Sequence, residues 1–217
     1  MGQQVSRTHL SRIGLAAMAL LAAGVALFSL RFAAAPFGAW PAIDPDIRGL
    51  IEQFPLRSLT HMLVAPLALL IGPFQFLPRL RSRYPRLHRW SGRVYVAACV
   101  IAGASGLLTA FAATGGPVAG FGFGLLAVLW IGVTLAAWRA AVRRRFELHR
   151  QLMRYSYAMT FAAVTLRLQI PIGFALGYES YATMSPWLAY TAWIPNVVAV
   201  ALYGAAIERR RSVVAPA

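Results

Sequence analysis

The chain contains no lysine, a single cysteine and only six acidic residues in 217. Each shortage excludes something. One cysteine, Cys99, makes no intrachain disulfide and no thiolate zinc cluster. Charged residues are 12% of the chain, against about 25% in an average soluble domain. Together with an excess of apolar residues that fall in blocks, that deficit excludes an ordinary soluble enzyme and a disordered chain. Because lysine is missing, all 21 basic residues are arginine. A skew this complete points to a GC-rich, bacterial genome rather than to selection for guanidinium at every position.

What is abundant is apolar: 59% of residues are hydrophobic and the mean hydropathy is +0.61. They fall in blocks. A membrane-crossing helix needs about 20 mostly apolar residues, and six blocks qualify: residues 13–30, 59–77, 94–113, 119–138, 155–177 and 187–207. The sequence predicts an all-α fold, an integral membrane bundle of six transmembrane helices forming a single domain over residues 1–217. The turn Thr114-Gly115-Gly116-Pro117 makes the third and fourth spans an antiparallel hairpin. The first span has arginines before it and Ala33-Ala34-Ala35 after it, as a signal peptide does. It is longer than the usual 7–15 apolar residues of such a segment, so it reads as a retained helix. The start Met1-Gly2-Gln3-Gln4-Val5-Ser6 matches a myristoylation pattern, and in a bacterial chain the match is read as chance.

The net charge of +15 follows from topology and implies no nucleic-acid partner. One short loop carries Arg79, Arg81, Arg83, Arg86, Arg89 and Arg93. Another carries Arg139, Arg143, Arg144, Arg145, Arg150 and Arg154. With six spans, both loops fall on the same side as Arg7, Arg12 and Arg209–Arg211. Cytoplasmic segments hold the excess of arginine, so both termini are expected in the cytoplasm and the chain in a bacterial inner membrane. Trp40, Trp90 and Trp187 near span ends fit interfacial aromatics. The arginine-rich loops are expected to meet anionic lipid head groups. Gly120 with Gly124, and Ala102 with Gly106, are small pairs that let helices approach closely. No strand precedes Gly120-Phe-Gly-Phe-Gly, so it is not a dinucleotide loop.

Three blocks carry a resemblance. They are Gly72-Pro-Phe-Gln-Phe-Leu-Pro, then Pro85-Arg-Leu-His-Arg-Trp-Ser-Gly-Arg-Val-Tyr, then His149-Arg-Gln-Leu-Met-Arg-Tyr-Ser-Tyr-Ala followed by Thr165-Leu-Arg-Leu. Together, over roughly residues 57–175, the chain resembles a bacterial family of multi-pass membrane proteins called domain of unknown function 2306. The resemblance implies a membrane location and a helical fold, and no activity. The positions it singles out are Gln75, His88, Trp90, Gly92, Arg93, His149, Arg150 and Arg167.

An ionisable residue inside a span is expensive and faces the bundle interior. Arg167 is the clear case. It lies thirteen residues from Arg154, which is near 20 Å of depth at roughly 1.5 Å per residue. Pro171, four residues on, frees the Arg167 carbonyl. His149, Met153, Ser156, Thr160, Arg167 and Pro171 recur at helical spacing on one face. His61, Ala65, Ala68, Gly72 and Gln75 do the same in the second span, with His61 toward the outer end and Gln75 toward the cytoplasmic end. The two stripes are expected to face each other or a common cavity. All six acidic residues lie outside the spans so drawn, which argues against proton coupling through intramembrane carboxylates. Arg167 then needs carbonyls, water or the anionic group of a bound molecule. The ligand-binding candidates are Arg167, Gln75, His61, Ser156 and Thr160. The candidates at the cytoplasmic face are His88, Arg93, His149 and Arg150.

Three functions remain open. One is the binding of a small anionic or carbonyl-bearing molecule, a quinone or a lipid, around Arg167. The second is a redox protein holding haem b, with His88 and His149 as axial ligands of the iron and nearby arginines pairing with its propionates. The third is a transporter not coupled through intramembrane carboxylates. No catalytic residue is expected, because the loops are short and no hydrolytic triad is suggested.

Overall fold

The computed structural model describes residues 2–37 and 44–214; Met1 and Trp40 lie outside them. Among the described residues there is no strand. Ten α-helices follow in order: α1 Gly2–Ser29, α2 Pro45–Gln53, α3 Pro55–Gln75, α4 Pro78–Arg83, α5 Pro85–Ala110, α6 Gly116–Val142, α7 Phe146–Thr160, α8 Ala162–Ala175, α9 Tyr181–Thr191 and α10 Ile194–Val214, with a 3-10 segment Leu30–Phe37 after α1. Pro45, Pro55, Pro78 and Pro85 each open a helix. There the missing N–H costs nothing and the fixed φ suits the first turn. Gly116 takes φ +74° at the α5–α6 hairpin, a left-handed conformation that glycine adopts without strain.

Six helical segments are long and apolar enough to cross a membrane: Ile13–Ala34, Pro55–Gln75, Pro85–Ala110, Gly116–Val142, Phe146–Ala175 and Tyr181–Arg209. Six blocks were expected, and the helices outrun most of them. The third starts at Pro85 rather than Val94, and the fifth at Phe146 rather than Tyr155. The sequence pattern stops at arginines, but a helix does not. Arginine stems lie along apolar surface while the guanidinium reaches water, so helical backbone continues through the charged border. Glu147 and Glu208 consequently sit inside candidate spans rather than outside them, each near a span end. The fifth segment is two helices meeting at Phe161, whose carbonyl accepts from Val164 and Thr165 N–H.

Helix α5 packs against α3 and α6; α6 packs against α7 and α9; α1 covers α3 and α8, and α10 lies on α7. Tyr95, Leu69, Cys99, Tyr157 and Val164 are buried at the centre, whereas Leu56, Phe111 and Phe121 face outward. Glycines set the closest approaches. A Cβ on Gly120 would sit 2.7 Å from the Ala110 carbonyl oxygen, so this position brings α6 against the end of α5. A Cβ on Gly72 would sit 2.0 Å from the Tyr157 ring, which is where the face of α3 meets α7. Gly106 serves a different neighbour, the His61 imidazole, described next.

Candidate functional site

A cavity of about 300 Å³ opens among the spans, and each span lends it a residue: Ser29, His61, Gly106, Trp130, Arg167 and Tyr181. Leu50 of α2 also lines it. Helix α2 is held near α9 by two carboxylates. Asp44 accepts from the Tyr181 N–H at 3.0 Å and Asp46 from the Ala182 N–H at 3.1 Å. Those are first-turn donors without a partner in their own helix, at its positive end, and carboxylates satisfy them well.

Arg167 reaches the cavity from α8. It donates from Nη1 to the Ala163 carbonyl, one turn back, at 3.0 Å, and from Nη2 to Ser29 Oγ at 3.2 Å. Ser29 is fully buried and gives its own proton to the Val25 carbonyl at 2.9 Å, so its lone pairs are free for the guanidinium. Two of the five guanidinium N–H groups are thereby used. Among the described residues the ion pairs are Arg48–Glu52 and Arg150–Glu147. Among the described residues no carboxylate pairs with Arg167. Pro171 lies within α8 and brings no N–H to the Arg167 carbonyl.

His61 reaches the cavity from α3. Its Nδ1 lies 2.8 Å from the Ala102 carbonyl oxygen. A carbonyl only accepts, so Nδ1 carries the proton. A Cβ on Gly106 would fall 2.7 Å from Nδ1 and 2.9 Å from Cε1. The pair Ala102 and Gly106 therefore makes a seat for the imidazole, one residue offering its carbonyl and the other offering room. Nε2 has no protein partner among the described residues.

Thr160 also lines the cavity, but its hydroxyl is spent. It donates to the Ser156 carbonyl at 3.0 Å and accepts from Trp130 Nε1 at 2.9 Å. Tyr95 Oη lies 2.9 Å from both Thr160 Oγ1 and Ser156 Oγ, and Thr134 Oγ1 lies 2.7 Å from Ser156 Oγ. One proton order satisfies every group: Thr134 donates to Ser156, Ser156 to Tyr95, Tyr95 to Thr160, and Thr160 to the Ser156 carbonyl. This buried network ties α5, α6 and α7 together. Ser156 is fully buried within it and does not line the cavity.

The other candidates lie elsewhere. Gln75 donates to Ser91 Oγ at 2.8 Å, and a Cβ on Gly92 would come 3.4 Å from its Oε1. Two of the sequence blocks that carry the resemblance thus meet where α3 ends and α5 begins. His88 lies in the first turn of α5 with a buried Nδ1 that has no partner among the described residues. His149 Nδ1 donates to the Ala137 carbonyl at 2.9 Å. Arg93 stacks over Trp90 at 4.9 Å, and Arg150 pairs with Glu147. Neither His88 nor His149 lines the cavity.

Sequence reasoning passed over Ser29, Tyr181 and the seam of Gln169, Thr191 and Asn196. Gln169 donates to the Thr191 carbonyl at 3.2 Å, and Asn196 bonds the Ala158 carbonyl at 3.3 Å. Amides inside spans were the available signal, since they act as glue between helices. Cys99 is a fully buried free thiol. It is expected to resist a charged, membrane-impermeant maleimide in intact membranes; rapid labelling would show that water reaches it.

A family model described as Predicted membrane protein (DUF2306) matches residues 58–203. No curated protein and no solved structure matches the chain. The matched stretch takes in most of α3, all of α4 to α9 and about half of α10, and with them His61, Gly106, Trp130, Arg167 and Tyr181 of the cavity wall.

Proposed function

We propose, from the premise that this chain belongs to the DUF2306 family of predicted membrane proteins, that it binds a small anionic or carbonyl-bearing molecule, a quinone or a lipid, in the cavity anchored by Arg167. The observation that carries this reading is a guanidinium at the cavity wall with N–H groups to spare and no carboxylate partner among the described residues. An arginine inside a span ordinarily pairs or lines a functional cavity. A pocket that is mostly apolar with a few convergent polar groups is the usual form of a small-molecule site. Ser156 and Thr160 support the walls rather than the ligand, and Gln75 fixes the α3–α5 junction. Haem on His88 and His149 would occupy a separate site, because neither side chain lines this cavity.

The test is a thermal-shift titration of the detergent-purified chain with benzoate, a small apolar carboxylate. The wild-type chain should be stabilised in a dose-dependent way and Arg167→Leu should not. Equal responses would remove Arg167 from the site.

The arginine distribution supports a further part of the proposal: the single domain lies in a bacterial inner membrane with both termini in the cytoplasm and the arginine-rich loops against anionic lipid. Reporter fusions after Gly116 and at the C-terminus should then report opposite sides. The same side for both would contradict this orientation.

A further inference from the structure

The cavity wall also carries Arg31, Thr109, Thr114 and Tyr181, and two of its polar groups, Arg167 and His61, are unlike in kind. Arg167 offers N–H donors. His61 offers the opposite. Its ring is locked by the Nδ1 bond to the Ala102 carbonyl and by the close backbone of Gly106. A neutral imidazole that donates from Nδ1 presents Nε2 as a lone-pair acceptor. The lock also stops the ring from exchanging its two nitrogens without losing the 2.8 Å bond. A plain anion satisfies Arg167 and leaves Nε2 facing a second acceptor or nothing. A ligand that satisfies both needs an oxygen acceptor and an O–H donor.

The volume bounds the rest of the ligand. About 300 Å³ is roughly twice the ~150 Å³ apolar cavity that takes up benzene. One or two fused rings fit, and much of the wall, such as Leu50, Met62 and Leu126, is apolar. We propose that the cavity takes an aromatic ring carrying a hydroxyl for His61 Nε2 and a second acceptor oxygen, of a carboxylate or a phenol, for Arg167. This inference rests on the binding reading above and narrows it. Two sources supply that chemistry: a hydroxylated aromatic acid and the hydroquinone form of a quinone head group.

The experiment is isothermal titration of the detergent-purified full-length chain. One arm compares benzoate with 3- and 4-hydroxybenzoate; the other compares 1,4-naphthoquinone with its hydroquinone, kept reduced. A net hydrogen bond is worth about twofold to tenfold in affinity. The hydroxylated member of at least one arm should bind tighter than its partner by about that factor, and the favoured arm identifies the source. His61→Phe should erase the preference while leaving weaker, Arg167-dependent binding. If His61→Phe fails to fold, the comparison on the wild-type chain still decides. Equal affinities within both arms would overturn this inference and leave the Arg167 reading standing. No Arg167-dependent binding of any probe would overturn both.

Discussion

Gly72→Ala is expected to destabilise the bundle by about 1–3 kcal/mol, the usual cost of forcing extra carbon into a packed core. The added Cβ would lie 2.0 and 2.2 Å from two carbons of the Tyr157 ring. That ring has little freedom to yield. Its hydroxyl donates to the Leu69 carbonyl at 3.2 Å, and it packs against Phe76 and Phe161 with centroids 5.6 and 6.2 Å away. Either α3 and α7 separate or the ring leaves its bond. Thermal unfolding in detergent measures the loss. Tyr157→Ala in the Gly72→Ala background should cost less than the two separate changes added together, because the ring that clashes is gone. Full additivity would mean that the two residues do not touch.

Arg167→Leu is expected to leave the free protein as stable as before, or more so, and to weaken ligand binding by at least about thirtyfold. Stability is spared because well-packed apolar replacements of buried ionic groups are often neutral or favourable. Ser29 keeps its own bond to the Val25 carbonyl without the arginine. Binding falls because truncating one member of a buried charged hydrogen-bonded pair typically costs 2–5 kcal/mol or more, roughly 30-fold upward. Arg167→Lys is expected to fail as well. An ammonium has no planar fork to serve Ala163, Ser29 and a ligand oxygen together. A Lys variant that binds as tightly as the wild-type chain would show that charge alone suffices.

Much of this was legible in the sequence, and the remainder fails for definite reasons. Uninterrupted apolar blocks give six spans because lipid tolerates little else. The helices run on beyond those blocks at Pro85 and Phe146, because arginine marks where water begins rather than where the helix stops. Arg167 stood out as the lone arginine within an apolar span, and His61 stood on a face of small residues. Helical spacing puts Ser156, Thr160 and Arg167 on one side of the chain but says nothing of which helix lies opposite. The partners of Ser156, Tyr95 and Thr134, come from two other spans. Gln75 of α3 meets Ser91 of α5 with α4 between them in the chain, which spacing within one helix does not reveal. Ser29 looked like an ordinary residue at a span end, and only its proximity to a residue 138 positions away gives it a role.

Native mass spectrometry of the full chain released gently from its own membranes tests the central claim most directly. A small-molecule adduct of defined mass is expected on the wild-type protein, absent from Arg167→Leu and unaffected by a change at Arg93, whose guanidinium stacks on Trp90 away from the cavity. The same adduct on Arg167→Leu, in the same proportion, would contradict it.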